Sequence, residues 1–581
     1  MIKSYKLIKI SNSLLLSHYF SIFLYLRKPL FFILSSSSFF IIIFTFSFFF
    51  HFSSEFSKFL SPTTTSPDLF KKHVSDGFFV IRNFERIIRT VYCFSRLLPL
   101  ICLECSPFQG NNTRRPLEMS SSDKLSADDV LNTLDKRNRY ILTCILVCGF
   151  AWAPLAFTGL CPSFVVKAPE NSSFIGVADE FDLTGDATWL ADSTTTFYMV
   201  GNMIGGMFIP PLADKYGRLP VFVITVLLMA GGGMLSAISN SIMMFCIMRL
   251  IHGIFYTASG LAGWVLGYEN TPLRLRFFTS VYFGLMWVVG ACILALLAYV
   301  LPDWRWLMFC ISVPNVFVAF LIYMTVPESL HYLVSSQQTE KIEAWLEKIR
   351  GPKGDISASD IVEIQDEKSS SFKSLCREMW KHKMFIVYIF VMTYIWIVDT
   401  FIYFGLAFYS KNLAGNIYLN FVLMSLVEAP AYIFSPIFMN KYGRKVLISG
   451  THIIAGLSFL GIVLSTEEWH IHFWLLGKFA ISCSFMSIYM FASEIFPTDG
   501  RNKCIGFCET LSRLGGMLSP YLSHLTALHS LAPAITLSLI AVSGGLLTLI
   551  LPETLNTKLP STIAETASRR QLIDRSDSNS N

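Results

Sequence analysis

Ionisable side chains stand inside long apolar runs of this chain, foremost Arg249, Asp399, Glu428, Lys478 and Arg513. A charge in an apolar medium is costly, so each marks a partner, a pathway or a ligand. A guanidinium such as Arg513 can grip a carboxylate through two parallel N–H bonds. Glu428 and Asp399 can attract an ammonium group, and Lys478 can pair with a carboxylate. Quaternary ammonium ions also bind against aromatic faces, and Tyr394, Trp396, Tyr403, Phe404, Tyr432, Trp264 and Trp287 lie in the same runs. Tyr432 is the strongest of these, one helical turn past Glu428. The plainer alternative is internal pairing, of Arg513 with Glu509 or Glu428 and of Arg249 with a neighbouring helix. No inward His or Ser/His/Asp set has spacing credible for an enzyme. The chemistry on offer is recognition of a small charged molecule.

A second group of charges comes in duplicate. Asp214-Lys215-Tyr216-Gly217-Arg218 returns as Asn440-Lys441-Tyr442-Gly443-Arg444, an offset of 226, with Pro210 and Pro436 ahead of them. Glu269, Pro272 and Arg276 return as Glu494, Pro497 and Arg501, and Pro327-Glu328-Ser329-Leu330 as Pro552-Glu553-Thr554-Leu555, each shifted by 225. Gly217 and Gly443 suit a tight turn needing positive φ. Arg218 and Arg444 can reach the side chain four residues earlier and the end of the preceding helix. Glu269 and Glu494 are expected to pair across helices in a gating network that also includes Arg276, Arg501 and Arg249. Glu328 and Glu553 are expected to cap the segments just after them.

The elements that must hold these residues are membrane helices. With 53% hydrophobic and 15% charged residues, the chain is not a soluble globule. Twelve apolar runs are long enough to cross a bilayer: 140–160, 196–212, 221–237, 242–267, 277–301, 306–326, 384–408, 417–438, 446–464, 471–491, 505–525 and 531–551. The duplication splits them six and six, which places a binding site between two related halves. Basic residues crowd the even-numbered loops, whereas the opposite loops carry only Lys167, Arg305 and Lys411. This bias puts both termini in the cytoplasm. The first outer loop, 161–195, is acidic and holds the glycosylation sequon at Asn171; Cys161 is its one cysteine.

The expected organisation is a cytoplasmic N-terminus at 119–139 and a first half at 140–326. Linker helices at 327–383, a second half at 384–551 and a cytoplasmic tail at 552–581 complete it. Residues 1–118 hold 20 of the 52 phenylalanines and an uncharged run from Pro29 to Ser54. They read as AT-rich upstream sequence translated through, with Met119 the working start, ahead of a thirteenth span or a targeting segment.

DKYGR, RLIHG (249–253), PESLHYL (327–333), ASEIFPTDGRN (492–502) and LPETLNTKLPSTI (551–563) together resemble the major facilitator superfamily. IYLNFVLMSLVEAPAYI (417–433) and SRLGGMLSPYL (512–522) are similar to its organic cation/carnitine transporter family, the solute carrier 22 type, and closest to the carnitine branch. The resemblance runs from about Asp123 to Ala564. It implies an all-α membrane fold of twelve transmembrane helices in two six-helix halves related by a pseudo-two-fold axis. Glu428 matches the family's VE(x)P, Lys478 its G-K-F, and Arg249 the superfamily's RxxxG; Asp399 has no counterpart. At the position of Arg513, cation-selective members tend to carry an acid, and anion and carnitine members an Arg. Pro210, Leu219, Asn440 and the short outer loop depart from the pattern.

The resemblance implies a plasma-membrane carrier of small organic cations or carnitine-like zwitterions, working by alternating access. Arg513, Glu428, Tyr432, Asp399 and Lys478 would line its site. An organic-anion carrier is the next reading, favoured if Arg513 dominates and Glu428 is internally paired. A sugar porter or a non-transporting sensor ranks after it. A coupling ion, Na⁺ or H⁺, and the lipid bilayer are the other expected partners, with no cofactor, no metal and no nucleic acid.

Overall fold

The computed structural model describes residues 125–567, except 134–138, 168–173, 184, 302, 351–360, 362–371, 411–412, 414–415, 498–499, 558–559 and 561. Residues 1–118 and the Asn171 sequon lie outside the described residues. The chain divides into two units, Met1–Glu104 and Cys105–Asn581, and every described residue belongs to the second.

All twelve expected runs are helical. They are α1 (Tyr140–Val165), α2 (Thr188–Phe208), α3 (Arg218–Ala237), α4 (Ile242–Glu269), α5 (Arg276–Val300) and α6 (Trp304–Thr325) in the first half. The second half has α7 (Lys383–Tyr409), α8 (Ile417–Tyr442), α9 (Arg444–Leu464), α10 (Glu467–Ile495), α11 (Arg501–Leu518) and α12 (Ala532–Thr548). Nine helices among the described residues are long and apolar enough to span a membrane by themselves. α2 and α11 carry polar and charged runs, and α12 is short, so these three need their neighbours.

Local sequence explains where the helices start and bend. α2 begins eight residues ahead of the apolar run, because its polar stretch is helical. Ser193 and Thr194 turn their hydroxyls back onto the Leu190 and Ala191 carbonyls at 2.6 and 2.7 Å, which satisfies them inside the helix. α1 continues to Val165, so Cys161 is a fully buried helical residue touching Met308 and Arg249, not a loop cysteine. α8 is interrupted at Val427 and resumes at Glu428. Pro430 explains the break, since it lacks the N–H that would bond the Leu426 carbonyl. Glu428 therefore opens a new helical segment, where the helix dipole favours a carboxylate.

The halves meet along α1, α2 and α5 on one side and α7, α8 and α11 on the other. Ser163 donates to the Ala407 carbonyl (3.2 Å), and Thr196 to that of Met517 (3.1 Å). Asp192 and His524 approach to 2.7 Å across the seam, near Phe164 packed on Tyr418 and Phe421. These contacts gather at the end of the bundle that carries the α1–α2 connection. Deeper in, Gly284 of α5 lies flat against Tyr432; a Cβ there would come to 2.7 Å of the ring.

Candidate functional site

The duplicated motifs fold into two clamps. Gly217 and Gly443 adopt φ of +105° and +98°, the positive values that turn demands. Arg218 meets Glu269 at 3.2 Å, Asp214 at 3.1 Å and the Ala213 carbonyl at 3.4 Å. Arg444 meets Glu494 at 2.9 Å and the Met439 carbonyl at 3.3 Å. Ser329 donates to Glu269, and Thr554 to Glu494. Lys215 and Lys441 each lie 5.1 Å from the ring of the tyrosine that comes next.

The motif glutamates reach further than expected. Glu328 accepts from Ser329 N, and also from Arg218 N and Leu219 N, so it caps α3. Glu553 does the same for α9 through Arg444 N and Lys445 N. Burial pushes the Glu328 carboxyl above the usual range, while these N–H groups and Arg218 pull it back. Arg276 departs from the expected network: it binds Asp128 at 2.7 Å, and His331 shares that carboxylate at 3.2 Å. Arg501 Nε donates to the Phe496 carbonyl at 3.4 Å.

Midway along the second half, Glu428 is the hub of a buried polar cluster. Lys478 Nζ lies 2.9 Å from Oε1, while Tyr403 and Tyr432 donate to Oε2 at 2.9 and 2.7 Å. Trp287 of the first half donates to Tyr403 Oη at 2.8 Å. Lys478 also sits 3.3 Å from the centre of the Tyr403 ring. Glu428 and Lys478 are 3% and 1% exposed, so the pair is desolvated and held by complete hydrogen bonding.

Arg513 is not part of that cluster. It pairs with Glu509 one turn earlier at 3.1 Å, and its side chain keeps 14% exposure. It lies near enough to Tyr198 and Tyr256 of the first half to act on both electrostatically. Arg249 is 2% exposed, stacked 4.2 Å over Tyr198, with His252 Nδ1 at 3.2 Å. Among the described residues it forms no ion pair; the Tyr198 ring face, the His252 imidazole and the Cys161 sulfur at 3.6 Å are its partners.

Comparison with known proteins places the chain. Residues 147–562 match the family model described as sugar (and other) transporter. A Caenorhabditis elegans protein with only the general designation of a transporter is 91% identical over 465 residues, covering 80% of this chain and 96% of its own. Human solute carrier family 22 member 2 is 30% identical over 417 residues, covering 69% of this chain and 73% of its own. The chain belongs to the major facilitator superfamily, in its solute carrier 22 branch. The inward-open xylose transporter XylE of E. coli superposes with a TM-score of 0.59 at 19% identity, over 72% of this chain and 98% of that one. At that identity the likeness concerns the fold alone.

Within this transporter, the structure joins some expected site residues and separates others. Glu428, Lys478 and Tyr432 form one cluster; Arg513 stands apart with Glu509. Asp399 departs from its expected role as an ammonium contact. It has no exposed surface and faces Ser484 Oγ at 3.0 Å and His452 Nε2 at 3.3 Å. A Ser, a His and an Asp thus do meet, contrary to the sequence reading. They are unsuited to nucleophilic catalysis: the serine bonds the carboxylate directly, and the group is enclosed. His452, Ser484 and the Asp192–His524 pair also escaped the sequence argument. A histidine midway along an apolar helix was the available signal for His452.

Proposed function

We propose that this transporter carries small organic ions bearing a carboxylate, carnitine-like zwitterions first, by alternating access across the plasma membrane with both termini cytoplasmic. The observation that carries the reading is the charge balance of the second half's inner wall. Glu428 is matched by Lys478 and Glu509 by Arg513. A cargo of zero net charge preserves that balance, and a net cation or anion does not. Arg513 is the more accessible of the two candidate charge readers. Its guanidinium can exchange Glu509 for a cargo carboxylate, while the partly exposed ring of Tyr256 suits a quaternary ammonium. The two KYGR clamps and their glutamates serve as gate hardware, forming in one access state and loosening in the other. Names among the relatives, such as the organic cation transporter protein of Drosophila melanogaster (29% identical), agree with an organic-ion cargo.

One observation favours an organic anion as the second reading. Both oxygens of Glu428 are already occupied by Lys478, Tyr403 and Tyr432, which leaves the arginine to dominate. Uptake of labelled carnitine, choline, tetraethylammonium and p-aminohippurate into vesicles separates the readings. Carnitine is expected to move fastest. Arg513→Ala should weaken carnitine and p-aminohippurate by about 10–100-fold, the loss of a charged hydrogen-bonded contact, and spare tetraethylammonium. Flux of p-aminohippurate alone would establish the anion reading. Flux of none would favour a sensor.

A further inference from the structure

Asp399 on α7, His452 on α9 and Ser484 on α10 meet inside the second half, and none of the three has exposed surface. Their hydrogens can be assigned from the heavy atoms. A carbonyl can only accept, so the ring nitrogen 2.9 Å from the Ile448 oxygen, Nδ1, carries a hydrogen. In a neutral imidazole that leaves Nε2 as a bare lone pair. Ser484 donates to Asp399 Oδ2 at 3.0 Å, and its own oxygen faces Nδ1 at 3.2 Å. What remains is Nε2 facing Asp399 Oδ1 at 3.3 Å, and neither atom has a hydrogen-bond partner. Two opposed lone pairs in an enclosed space repel. One added hydrogen, carried by the carboxyl and donated to Nε2, turns the contact into a hydrogen bond and satisfies both atoms at once.

We propose that Asp399 and His452 share one exchangeable proton, and that this transporter couples its binding and release to cargo movement. Every neighbouring charge is committed elsewhere. Lys478 and Tyr432 face Glu428, and Glu509 and Arg513 face each other. Thr393 of α7 donates to Cys508 of α11 at 3.3 Å, and Tyr394 meets Ser543 of α12 at 2.6 Å. α12 has no ionisable residue and packs on His452 through Gly544, where a Cβ would come to 2.8 Å of the ring. Arg444, at the far end of α9, is held by Glu494. The two unpartnered atoms carry bare lone pairs, on an imidazole and a carboxylate 3.3 Å apart, and a proton is the ligand that bridges them.

The link to cargo is α7. Asp399 lies one turn before Tyr403, whose hydroxyl bonds Glu428 and whose carbonyl takes Lys478 Nζ at 3.4 Å. The same helix touches the other half through Trp287 on Tyr403 and Ser163 on the Ala407 carbonyl. A movement of α7 that alters the seam between halves also alters the Asp399–His452 spacing, and the coupling runs equally in reverse.

The proton site stands on its own geometry; only its coupling rests on the proposed cargo. Infrared difference spectra of the full chain in liposomes, stepped in pH in H₂O and D₂O, read the site without any cargo. A titrating protonated-carboxyl band is expected, lost in Asp399→Asn, shifted in His452→Gln and kept in Glu428→Gln. Labelled carnitine then reads the coupling. With one proton per cargo, a one-unit gradient that drives protons inward raises accumulation by up to about tenfold. Asp399→Asn should abolish that gain yet retain carnitine counterflow, which reports a folded carrier. A band unchanged in Asp399→Asn, or gradient-driven accumulation persisting in it, overturns the proposal. If no cargo moves at all, the cargo reading fails and the infrared titration alone decides the site.

Discussion

The two clamps and the membrane interior behave in opposite ways under the duplication. At the clamps, the halves match almost atom for atom: arginine on glutamate, hydroxyl on the same glutamate, a second glutamate capping the next helix. In the interior they share nothing. The first half buries Arg249 and His252 without a carboxylate among the described residues, whereas the second buries Glu428–Lys478 and Asp399–His452 and half-buries Glu509–Arg513. Parts under a common mechanical demand keep their symmetry. Parts that read one asymmetric molecule have no reason to.

The sharpest test of this contrast is a charge with no twin. Lys478→Met strands Glu428 among apolar helices and should cost about 3–5 kcal/mol in chemical unfolding. Removing both charges, with Glu428→Leu added, should restore most of it. A double variant no better than the single would show that the tyrosines, not the ion pair, hold the cluster together.

A smaller effect probes the symmetry itself. Glu269→Gln and Glu494→Gln each weaken a partly buried charged contact, by about 1.5–3 kcal/mol. If the clamps are mechanical equivalents, the two costs agree within about 0.5 kcal/mol and add in the double variant. Unequal costs in a double-variant cycle would break the equivalence.

The smallest effect falls where the copies differ. Asp214, with its side chain 73% exposed, pairs with Arg218, and Asn440 stands in its place in the second copy. Asn440→Asp and Asp214→Asn should each shift stability by no more than about 1 kcal/mol, as exposed pairs do. A larger shift in unfolding midpoint would mean the difference between the copies is itself used.

The clamps were legible in sequence because spacing alone defines them, and a repeat at constant offset needs no knowledge of packing. The helices were legible where they are apolar. α2 was misplaced at its start because Thr188 to Thr195 read as loop, although buried hydroxyls can bond their own helix. Partners of interior charges were not legible. Arg513 had two acids within reason, Glu509 on its own helix and Glu428 on another. Nothing in the sequence chose between them, and only the fold removed the second. Asp399, His452 and Ser484 are 53 and 32 residues apart along the chain, with nothing in the spacing to join them.

The pairing of Glu428 with Lys478 and of Glu509 with Arg513 bears on voltage. A lone charge carried across a membrane potential gains or loses about 2.3 kcal/mol per 100 mV. Opposite charges 2.9 and 3.1 Å apart travel together when a half rocks, and the field's work on one cancels its work on the other. These two pairs therefore add almost nothing to the voltage dependence of the carrier's return. Among the described residues, Arg249 and the Asp399–His452 site are the buried groups left to set it.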